Sequence, residues 1–136
     1  MTMNGNFSVF DISGRAMSAQ LVRLNTTASN LANAGTVSGS EGGAYRSLKP
    51  VFRSVMDAHG RATVQVDQVT TSRMAPSKRH DPSNPLADKD GNVWEAAVDS
   101  AAELVEMVET ARQYQNNVQV LETAKGLINE TLRMGQ

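Results

Sequence analysis

Cysteine is absent from this chain of 136 residues, which excludes disulfides, thiolate nucleophiles and cysteine-ligated zinc or iron–sulfur sites. Aromatic residues are nearly as scarce, at 4% with Trp94 the single tryptophan, so a large core filled with rings is not expected. Neither sign of charge dominates. With 13 basic and 14 acidic groups the formal net charge is -1, and no global field draws the chain toward nucleic acid. No run approaches the ~20 apolar residues that a bilayer span requires. Residues 1–7 lack both the basic start and the apolar run of a cleaved secretory signal. The chain is therefore expected to be soluble, and any exit from the cytoplasm to use a route that reads something else.

What is present is helical periodicity at both ends. Phe10, Met17, Leu21, Leu24, Ala28 and Leu31 fall at steps of seven and then four and three, the spacing of a heptad seam. Polar flanks leave only a narrow stripe for burial, so this helix needs another helix. Ser8 with Asp11 offers a weak cap and Gly35 suits a left-handed stop, which places the helix near residues 8–34. A second seam runs through Leu104, Met107, Ala111, Tyr114, Val118, Leu121, Lys125, Ile128 and Leu132. Val105, Val108, Val120 and Leu127 widen one side of it, which implies more than one neighbour. Ser100 with Glu103 has capping-box spacing, and carboxylates from Asp99 onward meet the positive end of the helix dipole, so the start is set near Asp99. At 1.5 Å per residue the two helices would be on the order of 40 and 50 Å long. Paired as a coiled-coil hairpin, they leave surplus apolar width, which predicts self-association or assembly.

The expected fold is mainly α with a small β element. Residues 1–34 form the first axial helix, and 99–136 form the second, packing with 8–34 as one helical domain. Residues 35–98 supply a β-hairpin and a connector. Within them 45–52 is a fair strand, and 62–69, alternating small apolar with polar residues, a convincing one. Asp57-Ala58-His59-Gly60 reads as the turn between them. From 75 to 91 three prolines and Asp81-Pro82-Ser83-Asn84-Pro85 predict extended, irregular chain.

Little in the sequence points to catalysis or cofactors. Asp88, Asp90, Asn92 and Asp99 superficially suggest a calcium loop, but the position requiring glycine is Val93 and the one requiring a bidentate glutamate is Asp99. A solvated turn before a helix is the better reading. His59 and His80 lack metal-ligand spacing. No nucleophile elbow or phosphate-cradling loop accompanies the serines and carboxylates, and no enzyme activity, metal or cofactor is expected. Asn30 and Asn33, costly choices in a helix, either cap and fray its end or hydrogen-bond across to another helix or chain. Arg112 and Tyr114 pose the same choice between a bland surface or core role and a contact.

Ser29-Asn30-Leu31-Ala32-Asn33 near one end and Arg112-Gln113-Tyr114-Gln115-Asn116-Asn117-Val118 near the other resemble the paired terminal signatures of bacterial flagellar rod and hook proteins. Phe10-Asp11-Ile12-Ser13-Gly14, Arg23-Leu24-Asn25, Tyr45-Arg46, Asn84-Pro85-Leu86-Ala87-Asp88 and Gly135-Gln136 extend the resemblance over nearly the whole chain, and among the family they fit a proximal rod subunit. Two departures stand out. Gly91-Asn92-Val93-Trp94-Glu95-Ala96-Ala97-Val98-Asp99 lacks the proline usual before the last helix, so that helix is open to starting several residues early. Asn116 replaces the usual small residue.

The resemblance implies a subunit of the periplasm-spanning rod, passed through the flagellar type III export apparatus without signal cleavage. Implied partners are the rod subunits FlgB, FlgF and FlgG, the basal-body adapter FliE and further copies of the chain, with neither nucleic acid nor a small-molecule substrate. Leu21, Leu24, Leu31, Val118, Leu121 and Ile128 become the expected helix-packing residues, and Asn30, Asn33, Arg112 and Tyr114 the expected assembly contacts. Without the resemblance, the same seams also fit a cytoplasmic helical adaptor or export chaperone.

Overall fold

The computed structural model describes residues 3–135, with side-chain surroundings from residue 9 onward. Helix α1 (Met3–Asn33) is followed by β1 (Val37–Ser38), β2 (Leu48–Met56), β3 (Ala62–Thr71), β4 (Ser77–His80) and β5 (Asn92–Glu95), and α2 (Ser100–Met134) closes the chain. Two long helices with small antiparallel sheets between them match the expected class. α1 begins five residues before the expected Ser8 boundary, although Asn4, Gly5 and Asn6 are poor helix formers. Its end differs too. Gly35 is not left-handed; instead Thr36 donates from its amide and its hydroxyl to the Asn33 carbonyl, at 3.1 and 2.7 Å.

α2 starts where its cap dictates. Asp99 is extended and accepts from the Ala102 amide at 3.2 Å, satisfying one of the donors that a helix start leaves free. The early start suggested by Glu95, Ala96 and Ala97 does not occur. Asn92–Glu95 is instead the central strand of a three-stranded sheet ordered β1-β5-β4, and the Ala97 amide is held by the Tyr45 carbonyl at 2.8 Å. Strand pairing thus overrides local helix propensity.

β2 and β3 form the expected hairpin, with Leu48 opposite Thr71 and Met56 opposite Ala62. β2 sits three residues later than the expected strand at 45–52, because residues 45–47 are drawn into bonds with Ala97 and Ser72. The turn is the one expected. Gly60 has φ +73, a conformation that favours glycine, and its amide reaches the Asp57 carbonyl at 3.0 Å. Residues 75–91 are not wholly irregular. β4 lies within them, and its sequence Ser77-Lys78-Arg79-His80 carries no apolar alternation to betray it.

α1 is the central element, packing against β2 and β3 and against α2. The helices run antiparallel, since Gln20 meets Gln113 whereas Arg23 meets Glu106.

Candidate functional site

The distribution of apolar residues is inverted relative to an ordinary domain. Among the described residues the buried hydrophobic ones are Ala19, Ala44, Val93 and Ala97, and they share the interior with Thr26, Thr27, Asn30, Ser47, Thr63, Glu103 and Thr110. Large side chains such as Leu104, Val105, Val108, Val120 and Leu127 face outward. A chain that keeps its small and polar residues inside and presents aliphatic ones carries contact surface rather than a pocket.

The covered row of α2 runs through positions 103, 107, 110, 114, 117, 121, 124 and 128, in alternating steps of four and three. This corrects the expected seam by one residue on one side. Glu103, Thr110 and Ala124 are more covered than Leu104, Ala111 and Lys125, the neighbours assigned to the seam, whereas Asn117 and Val118 are both half-buried. Ala111 and Val118 are half-buried on the flank, whereas Leu104 and Lys125 are exposed. Small and polar side chains let the helices approach, and hydrophobic periodicity does not register them. Tyr114, Leu121 and Ile128 do lie in the covered row, half-buried. On α1, from residue 9 onward, the buried positions are Ser13, Ala19, Thr26, Thr27 and Asn30. Leu24 and Leu31 are half-buried, but Leu21 is 46% exposed and Ala28 is exposed, so the expected seam is a partly open flank of the helix.

Arg23 ties three elements together. Its guanidinium sits 4.6 Å from the centre of the Phe52 ring on β2 and 3.3 Å from Glu106 Oε1 on α2, joining cation–π attraction to an ion pair. Beside it Glu103, only 3% exposed, takes Lys49 Nζ at 3.4 Å. A buried carboxylate survives because it has a cation.

Asn30 is the most fully engaged of the expected site residues. It is 1% exposed. Its Oδ1 accepts from the Leu48 amide and from the Tyr45 hydroxyl, both at 2.8 Å, and its Nδ2 donates to the Leu48 carbonyl at 3.0 Å. The Tyr45 oxygen also lies 3.2 Å from Ser29 Oγ. The side chain acts as a one-residue strand partner for the start of β2. These hydrogen bonds lie within the chain and join α1 to the start of β2. Asn33 Nδ2 donates to the Ser29 carbonyl of its own helix at 2.8 Å. Arg112 is exposed on the outer face, 4.0 Å from Glu109. No sequence pattern pointed to Arg23, Tyr45 or Arg61 as junction residues.

At the far end of the hairpin, Arg61 Nε donates to Asp57 Oδ2 at 2.6 Å, and its Nη2 lies 3.6 Å from Asp11 of α1. Asp57 Oδ1 accepts from the His59 and Arg61 amides at 2.8 and 3.0 Å. The Arg61 side-chain bond, with these amides, holds the Asp57 carboxyl well below the usual carboxylate range.

Asp88 is accounted for by a turn, its Oδ1 accepting from the Asp90 and Asn92 amides, each at 2.9 Å. Among the described residues no group of three or more acidic or histidine side chains is placed to hold a metal. No described helix is long and apolar enough to cross a membrane. At 100° per residue, Leu104, Val105 and Val108 span about a 100° sector on the side of α2 away from its covered row. With the open flank of α1, this sector is the candidate site, and its chemistry is apolar contact.

Comparison with known proteins agrees with the terminal signatures. The family described as "Flagella basal body rod protein" matches residues 10–38, and that described as "Flagellar basal body rod FlgEFG protein C-terminal" matches residues 89–134. The "Flagellar basal-body rod protein FlgC" of Salmonella typhimurium is 44% identical over 131 residues, 95% of this chain and 97% of the relative. The protein of the same name from Escherichia coli O157:H7 is 44% identical with the same coverage. That of Aquifex aeolicus is 35% identical over 127 residues, covering 92% of this chain and 93% of its own.

Proposed function

The chain belongs to the FlgC family of flagellar basal-body rod proteins, and from that premise we propose that its two terminal helices are the elements through which it builds the rod. It is a structural subunit of the flagellar basal body, not an enzyme, and associates with other rod components. Its segment is the proximal rod. Residues 1–34 and 99–136 act as one axial helical unit, tightening into a coiled-coil hairpin on assembly, and 35–98 sit outside it. Adjacent subunits are further copies of the chain, FlgB, FlgF, FlgG and the adapter FliE. The chain reaches its place in the periplasm-spanning rod through the flagellar type III export apparatus without signal cleavage.

The observation that carries this reading is the inverted apolar distribution. Leu104, Val105 and Val108 stand exposed on α2, at 54, 69 and 59%, over an interior of alanine, threonine and asparagine. Burying such side chains is worth about 25 cal/mol per Å2 of apolar surface, and neighbouring helices in a tube supply the cover. Leu21, Leu24, Leu31, Val118, Leu121 and Ile128 pack helices within and between subunits. Arg112 contributes a polar contact, whereas Tyr114, Asn30 and Asn33 support the surface from beneath.

Electron microscopy of basal bodies from a strain lacking the chain tests the proposal. Rods absent beyond the inner-membrane ring, restored by the wild-type chain and not by Val105→Asp, are the expected result. Complete rods and hooks without the chain would overturn it.

A further inference from the structure

A polar, open-ended rod requires each subunit to carry two different, mutually complementary surfaces, because an interface that pairs a patch with its own copy closes into a dimer. The small sheets offer four outer strand edges. β2 carries Pro50, which has no amide to donate, and β1 is two residues long. β3 and β4 remain. β3 spans ten residues and pairs with β2 alone; β4 is the outer strand of β1-β5-β4 and pairs with β5 alone.

The two free edges differ in charge. Among its ten residues β3 has one charged side chain, Asp67, whereas β4 is Ser77-Lys78-Arg79-His80 with no carboxylate. Two β4 edges would set like charges against each other, and a β3 edge against a β4 edge does not. The space beside β3 is also open. A groove of about 500 Å3 runs along part of the contact between β3 and α1, beside the Arg15–Thr63 hydrogen bond at 3.3 Å, bounded by Asp11, Arg15 and Ser18 on the helix and by Val64, Gln65 and Val66 on the strand. Consecutive strand residues point to opposite faces, so a groove touched by three in a row borders the edge itself. On β4, Arg79 is steadied by Glu95 at 2.9 Å and Lys78 lies 5.7 Å from the Trp94 ring centre, which leaves the outer backbone as the unsatisfied part.

We propose that the free edge of β3 receives the free edge of β4 from a second copy of this chain, a head-to-tail strand addition that links neighbouring subunits outside the helical tube. The inference rests on the rod-subunit reading for its polarity.

The lack of cysteine makes disulfide trapping clean. In cells assembling flagella, Gln65→Cys is combined in turn with Ser77→Cys, Lys78→Cys, Arg79→Cys and His80→Cys, and basal bodies are isolated under oxidising conditions. Adjacent strand residues lie within the 4.4–6.8 Å Cα separation that a disulfide accepts. Ladders of cross-linked chain concentrated at one member of the series, several-fold above its immediate neighbours, are the expected result, since only the residue directly opposite lies within that separation and its neighbours point to the other face. Repeating the series with Gln68→Cys covers the case in which Gln65→Cys fails to fold. Dimers from Gln65→Cys alone would overturn the proposal in favour of β3 self-pairing. Uniform or absent cross-linking in motile cells whose basal bodies contain the chain would overturn it and leave the rod role standing. Absence of the wild-type chain from basal bodies is the separate result that sinks the rod role and, with it, the polarity argument for this contact.

Discussion

Asn30 and Leu48 are joined by two hydrogen bonds running in opposite directions, Leu48 N to Asn30 Oδ1 at 2.8 Å and Asn30 Nδ2 to Leu48 O at 3.0 Å. One side chain of α1 thereby satisfies both backbone groups of the first residue of β2, and Tyr45 shares the same oxygen. Removing it leaves a donor and an acceptor unpaired in a covered place, each costing about 1–3 kcal/mol. Asn30→Ala is expected to lower unfolding free energy by about 3 kcal/mol. Asn30→Asp, which keeps the acceptor and turns the donor into a second acceptor facing the Leu48 carbonyl, should do no better. Urea denaturation of the purified chain, followed by the hairpin's amide exchange, checks both.

Val105 and Leu121 separate assembly from folding. Val105 is 69% exposed and Leu121 half-buried against α1. Val105→Asp should leave monomer stability within about 0.5 kcal/mol while abolishing incorporation into rods. Leu121→Asp should lose both, destabilising the monomer by about 1–3 kcal/mol through an unpaired charge at the helix interface. Thermal unfolding paired with swimming assays distinguishes them; equal monomer stabilities for the two variants would contradict the revised seam.

Asp57 gives the hairpin turn a pH dependence of definite sign. Its carboxyl is held below the usual range by Arg61 and by the His59 and Arg61 amides. A depressed carboxylate stabilises the fold fully above its unfolded pKa of about 3.9, and that contribution is lost as pH falls toward the folded value. Asp57→Asn should therefore be less stable than the wild type at pH 7, with the gap narrowing below about pH 4. Amide exchange at Gly60 and Arg61, measured at both pH values, reads this locally.

Gly39 and Gly42 sit three residues apart in one loop with opposite tolerance. A Cβ on Gly39 would stand 2.8 Å from the Leu86 carbonyl oxygen, which is backbone, whereas one on Gly42 meets nothing within 4 Å. Gly39→Ala should destabilise by about 1–3 kcal/mol through forced displacement of the 86 segment, and Gly42→Ala should be nearly neutral. Melting temperatures of the two variants provide the comparison.

Local chemistry alone determined a good deal of this protein. The start of α2 near Asp99, the Asp57-to-Gly60 turn and the β3 alternation depend on neighbours in sequence, and each stands where the residues placed it, although the cap is Asp99 and not the Ser100–Glu103 box. The terminal signatures located the family because they are short and contiguous. Long-range competition decided the rest. Asn92–Glu95 became a strand because β1 and β4 offered it hydrogen-bond partners on both sides, and Ser77–His80 became one because β5 did, though its side chains advertise no strand. The covered row of α2 takes in Glu103, Thr110 and Ala124 where hydrophobic spacing placed Leu104, Ala111 and Lys125, because polar and small side chains do not register in that spacing. Asn30 was legible as a residue out of place in a helix, but its partner, Leu48, was set by the fold. A polar side chain states in the sequence that it needs a hydrogen bond, and only the tertiary structure decides who supplies it.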